Sequence, residues 1–317
     1  MIGNWYKLMT QSHIDIKLNT SRDVETRLLE RPGLWMSAKE LSELREDLTT
    51  VATTTLSKDM LDYGVFSKNS DALSRSIITL VYEKETNKPI AFNALALIDF
   101  ELGEKPINVL HLGLVMIDPE ARSKGLSWVL YGLTCVFLFL RNQLRPIWVS
   151  NVTQVPAVVG MVGDTFSETY PKPESGNRRT LTHLLIARQI IAEHRHVFGV
   201  GDDAEFDEER FIIKNAYTGG SDNLKKTFDK ATKHRKSHYN DFCEQELNYE
   251  RGDDVIQLGK IDLNATKRFL TNDVPRGSLL GLTVAGLWIL LNRLALPVLY
   301  WCDSKREWNS LRPHKND

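Results

Sequence analysis

The segment that most constrains the fold of this chain runs from Val109 to Val152, because it reads as strand, turn, long helix and strand in that order. Val109–Ile117 (VLHLGLVMI) is rich in branched residues and too apolar for a loop, so a buried strand is expected. Trp128–Arg145 contains no proline and one glycine, which suits a helix of about five turns. Pro146–Val152 reads as a further strand. Two strands joined through a helix imply a right-handed crossover and a parallel pair.

Arg122-Ser123-Lys124-Gly125-Leu126-Ser127 falls at the opening turn of that helix. Unpaired backbone N–H groups and the positive end of the helix dipole favour an anion there, phosphate above all. Gly125 permits close approach of a ligand, and Arg122 and Lys124 add cationic charge. An ordinary basic turn without a ligand would use the same residues.

The flanking segments can be read independently. Ser76–Glu83 is a strand pattern, Lys84–Lys88 a polar turn, and Pro89–Phe100 the hairpin partner, followed by a charged turn around Glu104-Lys105-Pro106. Pro156–Phe166 reads as a helix with proline in its first turn. Ser37-Ala38-Lys39-Glu40 has the hydroxyl-to-carboxylate spacing of a capping box and starts an earlier helix.

Ile117, Pro119, Arg122 and Gly125 together resemble the acyl-CoA signature V-x-P-x-x-[RQ]-x-x-G-x-[GA] of the GNAT acyltransferase superfamily, with Ser127 departing from the final Gly or Ala. The resemblance covers residues 76–171. It implies an α+β fold with a mixed, mostly antiparallel sheet flanked by helices, in which two parallel strands splay apart around the pantetheine arm. It also implies transfer of an acetyl or longer acyl group from acetyl-CoA or another acyl-CoA to an amine of a small molecule or peptide, by direct attack in a ternary complex. The donor would be held by Ile117, Arg122, Ser123, Lys124, Gly125, Leu126 and Ser127. A second family pattern, N-x-x-A-x-x-x-Y-x-x-x-G-F, aligns with Gln154, Ala157, Met161, Thr165 and Phe166. Met161 stands where the family has a tyrosine acid, and a thioether donates no proton. Tyr170 is the nearby substitute. Met161 and Ser127 equally motivate an alternative, a non-catalytic GNAT-like CoA-binding or scaffold protein.

An amine nucleophile must lose a proton before or during attack, so a general base is required. His111 is the candidate. Strand alternation places His111, Gly113, Val115 and Ile117 on one face and Leu110, Leu112, Leu114 and Met116 on the other, which keeps the imidazole off the leucine-rich side. Asp99 and Glu101 are the runner-up bases.

With 317 residues, the chain accommodates a helical N-terminal segment over 1–72, a core over 73–171, and a large α/β extension over 172–317 packed on that core. Its 40 basic and 41 acidic residues nearly cancel, which gives no global electrostatic case for nucleic acid or a membrane surface. Cys135, Cys243 and Cys302 are odd in number and widely spaced, as in reduced thiols of a cytoplasmic protein, and no signal peptide is visible. His234 and His238 could share a helical face, and His194 and His196 lie close in sequence, but no carboxylate or thiol completes a metal set, so no metal is expected.

In the extension, Leu181–Val197 has helical spacing, Phe211–Tyr217 reads as a strand, and Thr218–Asn223 forms a glycine-containing loop on the acceptor side. Leu279–Leu291 and Leu294–Trp301 are nearly all apolar and read as a buried helix followed by a strand. An alternative makes residues 277–301 a membrane anchor, with Trp288, Tyr300, Trp301, Lys305 and Arg306 suited to an interface.

Overall fold

The computed structural model describes residues 12–54, 56, 64–66, 71–126, 128–142, 144–174, 178–219, 221–272, 287, 291, 294, 298 and 301–302. Two strands, β1 (Asp15–Asn19) and β2 (Val24–Glu30), come first, where the sequence reading has only a helical segment. Helix α1 (Ala38–Ala52) begins at the expected capping box: the Ser37 hydroxyl accepts from Glu40 N, and the Glu40 carboxylate accepts from Ser37 N. A single turn, α2 (Asp71–Ser74), leads into β3 (Ser76–Glu83), β4 (Pro89–Leu102) and β5 (Lys105–Ile117). Strand β3 has the expected bounds, whereas β4 runs on to Leu102 and β5 already begins at Lys105, so the turn expected around Glu104-Lys105-Pro106 is tighter than the sequence suggests and its flanks pair as strand.

After β5 the chain runs through a 3-10 helix (Pro119–Lys124), a π-helical turn (Trp128–Leu133), and helix α3 (Thr134–Arg141). The helix therefore ends four residues before the expected Arg145; Leu144, in the left-handed region at φ 57°, turns the chain out of it. Strand β6 (Ile147–Thr153), helix α4 (Pro156–Thr165) and strand β7 (Ser167–Tyr170) follow. Helix α5 (Leu181–Glu193), strands β8 (Glu205–Asp207) and β9 (Ile212–Lys214), helix α6 (Ser237–Glu246), strand β10 (Asp254–Ile261) and helix α7 (Leu263–Asn272) complete the described elements.

All ten strands join one sheet in the order β1-β2-β3-β4-β5-β6-β10-β9-β8, with β7 also paired to β10. Every pairing is antiparallel except β5 with β6, the crossover pair that the strand–helix–strand pattern demands. The fold is thus α+β, with a mostly antiparallel open sheet between helices. Strand β10 inserts directly beside β6, so residues beyond 172 extend the same sheet.

Each sheet face is covered differently. On one, α3, α4 and α7 pack over Leu95, Leu110, Leu112, Val149 and Ile261. On the other, α1 covers Ile78, Leu80, Phe92 and Met116, while α5 covers Ile98, Val109, Ile256 and Leu258. The α1 and α5 cores meet over the middle of β4 and β5.

The C-terminal apolar segments depart from expectation. Leu287, Leu291, Leu294, Val298 and Trp301 are helical and between 55% and 88% exposed, so these residues are neither a strand nor packed on the core. The rest of Leu279–Trp301 lies outside the described residues. Among the described residues no helix is long and apolar enough to cross a membrane.

Candidate functional site

The pairing of β5 with β6 is short. It spans Val109–Trp148, Leu110–Val149 and His111–Ser150 and then stops, although β5 continues to Ile117 against β4 and β6 continues to Thr153 against β10. The two strands thus form a fork whose apex is the His111–Ser150 rung. A β-bulge accompanies it: Ala94 pairs with Leu114 and Ala96 with His111, so two residues of β5, Leu112 and Gly113, oppose Leu95 alone. Glycine is required at 113, because a Cβ there would lie 2.4 Å from the Ala94 carbonyl oxygen.

The bulge also overturns the simple alternation expected along β5. Leu110 and Leu112 face α3, but Leu114 and Met116 face α1 on the opposite side. One extra residue reverses the side-chain parity of everything beyond it. His111 remains on the α5 side, stacked on Phe198 with ring centroids 4.9 Å apart.

His111 is only 2% exposed, and burial pushes its pKa down to about 4, so the ring is neutral at pH 7. Its Nδ1 lies 3.0 Å from Ser150 Oγ. When Nδ1–H donates to that oxygen, Nε2 offers its lone pair; when the hydroxyl donates instead, Nε2 carries the proton. A cavity of about 120 Å³ adjoins this ring, lined also by Ala94, Ala96, Gly113, Leu114, Arg75 and His196. Arg75 is ion-paired with Asp71. The cavity occupies the seam between the α1 and α5 cores, with Gly64 and Val65 of the loop after α1 on its rim.

On the other face, a cavity of about 170 Å³ lies between α3, α4 and α7. Tyr131, Cys135, Met161, Thr165 and Phe269 line it, so Met161 faces this cavity. Burial raises the Tyr131 phenol and pushes the Cys135 thiol up to about 12, so both keep their protons at neutral pH. Phe269 sits against Gly132, where a Cβ would come within 1.6 Å of the ring. The π-helical opening of this helix also has a cause. The Leu130 carbonyl accepts from the Asn93 amide and from Thr134 Oγ1, and Thr134 Oγ1 lies 2.7 Å from Thr79 Oγ1. These buried groups on β3 and β4 draw the helix start onto the sheet.

The turn before α3 is built differently from the expected helix start. Arg122, Ser123 and Lys124 belong to the 3-10 helix, capped by Asp118, whose carboxylate accepts from Glu120 N. Burial raises Asp118, but that backbone bond and Lys88 at 3.1 Å outweigh it and leave the carboxyl below its ordinary value. Gly125 takes a left-handed φ of 64°, with open space around the position of a Cβ. Arg122, Lys124 and Gly125 are exposed, whereas Leu126 is buried and Ile117 half-buried in the apolar cluster beneath the turn. Lys124 donates to Glu83 at 2.8 Å, which reduces the cationic surplus the sequence suggests. Ser127 lies outside the described residues.

Other expected site residues are not brought to the fork. Tyr170 is on β7, separated from β5 by β6 and β10, and packs edge-on against Phe211 with its hydroxyl 3.5 Å from the Glu209 carbonyl oxygen. Asp99 is held by Arg31 at 2.6 Å and Asn108 at 2.7 Å, and Glu101 is exposed near the far hairpin turn. Gln154 is buried with its amide 2.7 Å from Tyr217 Oη, which is itself 2.9 Å from Asp254. His234 precedes α6 and does not share a helical face with His238, and among the described residues no group of three metal-binding side chains occurs.

Sequence reasoning missed Ser150, Phe198 and Phe269, because their roles depend on strand register and on α7 crossing Gly132. No protein-family model matches the chain, and no curated protein matches it.

Proposed function

We propose that this protein is a GNAT-like acyltransferase that moves an acyl group from acyl-CoA to an amine. The observation that carries this reading is the fork. A parallel strand pair that stops after three rungs, bulged at Gly113, has His111 at its apex and a cavity beside that ring. The signature residues Ile117, Pro119, Arg122 and Gly125 lie in the turn that leads from the outer end of the same strand.

In this reading the pyrophosphate of CoA meets the backbone around Gly125 and the Arg122 guanidinium. The pantetheine follows the open edge of β5 towards the apex, and the amine enters from the cavity beside His111. Neutral His111, with Nδ1–H given to Ser150, accepts the amine proton on Nε2 as the amine attacks the thioester carbonyl. The tetrahedral intermediate collapses and the C–S bond breaks. In this reading the Tyr131 phenol, which keeps its proton in the cavity that Met161 also lines, takes the role of acid towards the departing thiolate in place of Tyr170.

The test is to add acetyl-CoA and longer acyl-CoAs to the purified chain, follow the melting temperature, and measure thiol release with a panel of amines. Thermal stabilisation together with amine-dependent thiol release is the expected result. Stabilisation without thiol release from any donor would favour the non-catalytic CoA-binding alternative, and no response to CoA would remove both.

A further inference from the structure

The cavity between α3, α4 and α7 is walled mainly by apolar side chains, among them Cys135, Val136, Met161, Phe166, Ile261 and Phe269. Its volume is about 170 Å³. An apolar cavity of about 150 Å³ already stays dry and holds a benzene-sized molecule, so this one has room for about six carbons. Left empty, it forfeits packing contacts on its walls, and an apolar ligand of that size restores them. A charged group would lose its hydration there without replacement. The cavity beside His111 differs in kind, since Arg75 and His196 stand in its lining.

Strand register gives its place relative to the fork. Ile261, on the cavity wall, pairs with Ile147 of β6, three residues before Ser150 of the apex rung. At about 3.3 Å per residue, that wall lies about 10 Å along the strand from the apex, on the closed side of the fork. A donor that enters along the open edge of β5 therefore points its far end towards this cavity. Tyr131 lines it too, and the acyltransferase reading sets the thioester sulfur against that phenol, so the acyl carbon bonded to the sulfur starts there. Resting on that reading, we infer that the donor carries an apolar acyl chain of about six carbons and lays it in this cavity.

The experiment measures Kd and amine-dependent thiol release for acetyl-, butyryl-, hexanoyl- and decanoyl-CoA with the full chain, and binding of hexan-1-ol, a probe without CoA, by saturation-transfer NMR. Affinity is expected to rise about fourfold per added methylene as far as hexanoyl-CoA and to fall back at decanoyl-CoA. Hexan-1-ol should bind, and should weaken hexanoyl-CoA without weakening acetyl-CoA. Ala265→Leu and Val136→Phe, which fill the cavity from α7 and α3, should each remove the hexanoyl gain and the hexan-1-ol signal while acetyl-CoA affinity stays unchanged; cooperative melting shows that each variant is folded. Acetyl-CoA bound and turned over as well as hexanoyl-CoA overturns the inference and leaves the acyltransferase reading standing. A hexanoyl gain that hexan-1-ol competes away, with no thiol release from any donor, keeps the chain in the cavity and removes the transfer reaction. A hexanoyl gain that survives hexan-1-ol and both variants sets the chain elsewhere and overturns the inference, as does a protein that binds neither hexan-1-ol nor any acyl-CoA.

Discussion

The two halves of β5 differ in a way their sequences do not advertise. Val109-Leu110-His111 is paired on both edges, to β4 and to β6, and is fully enclosed. Beyond the bulge, Leu114–Ile117 is paired to β4 but no longer to β6, and the half-buried Val115 and Ile117 pack on the cluster beneath the signature turn. Both halves are equally apolar, so hydrophobicity does not separate them. The bulge marks the boundary instead: pairing to β6 ends at His111, just before Leu112 and Gly113 bulge opposite Leu95. The lesson is that one strand can be paired and enclosed on both edges in its inner half while its outer half is left unpaired on the β6 side.

The largest effect is expected at the apex. His111→Gln should lower turnover near neutral pH by about 10²–10⁴-fold, the usual range for a general base, with little change in CoA affinity. Ser150→Ala should act in the same direction but more weakly, because it frees the tautomer without removing the ring. Turnover of His111→Gln close to wild type across the pH profile would take the imidazole out of the chemistry and leave the inner half a structural clamp.

The outer half is tested through Gly125. Saturating CoA at about 100 times its dissociation constant should stabilise the chain by about 2.7 kcal/mol. Gly125→Glu should erase that stabilisation, since a carboxylate would stand where the pyrophosphate is expected. A side chain at φ 64° also carries backbone strain, so Gly125→Asn, which tolerates that conformation, serves as the control and should retain most of the shift. A CoA response equal in both variants would separate the signature turn from ligand binding.

What could be read in advance follows from the range of the interactions involved. Strands β3 to β6, the capping box at Ser37 and the proline-initiated α4 were legible because local alternation, turn residues and caps specify them. The parallel pair was legible because strand–helix–strand connectivity has one handedness. The bulge was not, since a single glycine at 113 carries no period and its need for room appears only when Ala94 is placed opposite. Ser150 was hidden for the same reason: its partnership with His111 exists only in one register. Strands β1 and β2 escaped notice because short, polar, charged sequences such as DIKLN look like loops until they pair. Tyr170 lies away from the fork because β7 pairs with β10, and nearness in sequence to α4 said nothing of β10 inserting beside β6.

A third, smaller effect concerns the boundary between the halves. Gly113→Ala places a methyl 2.4 Å from the Ala94 carbonyl oxygen, and both groups are backbone-fixed. Relief requires the bulge to shift, at about 1–3 kcal/mol. A lower melting temperature with a reduced CoA response would tie the bulge to the open edge. A lower melting temperature with an unchanged CoA response would show that the outer half stays open without it.

The smallest effect separates the inner half from its surroundings by pH. His111 titrates at about 4 in the folded chain against an ordinary value of 6.5, so between those limits the unfolded chain binds the extra proton and stability is lost as pH falls. Asp254, buried at the start of β10, is pushed by burial up to about 7 from 3.8, so between those limits the folded chain keeps the proton and stability is lost as pH rises. The two groups therefore slope in opposite directions over the interval they share. Replacing His111 by Gln should make stability fall more steeply with rising pH between about 4 and 6.5, and Asp254→Asn should make it rise more steeply there. Melting temperatures of the three chains across that range measure both slopes, since ion pairs elsewhere are common to all of them. Parallel curves for wild type and His111→Gln would mean that the imidazole is solvated in both states, and the enclosure that distinguishes the inner half of β5 would be lost with it.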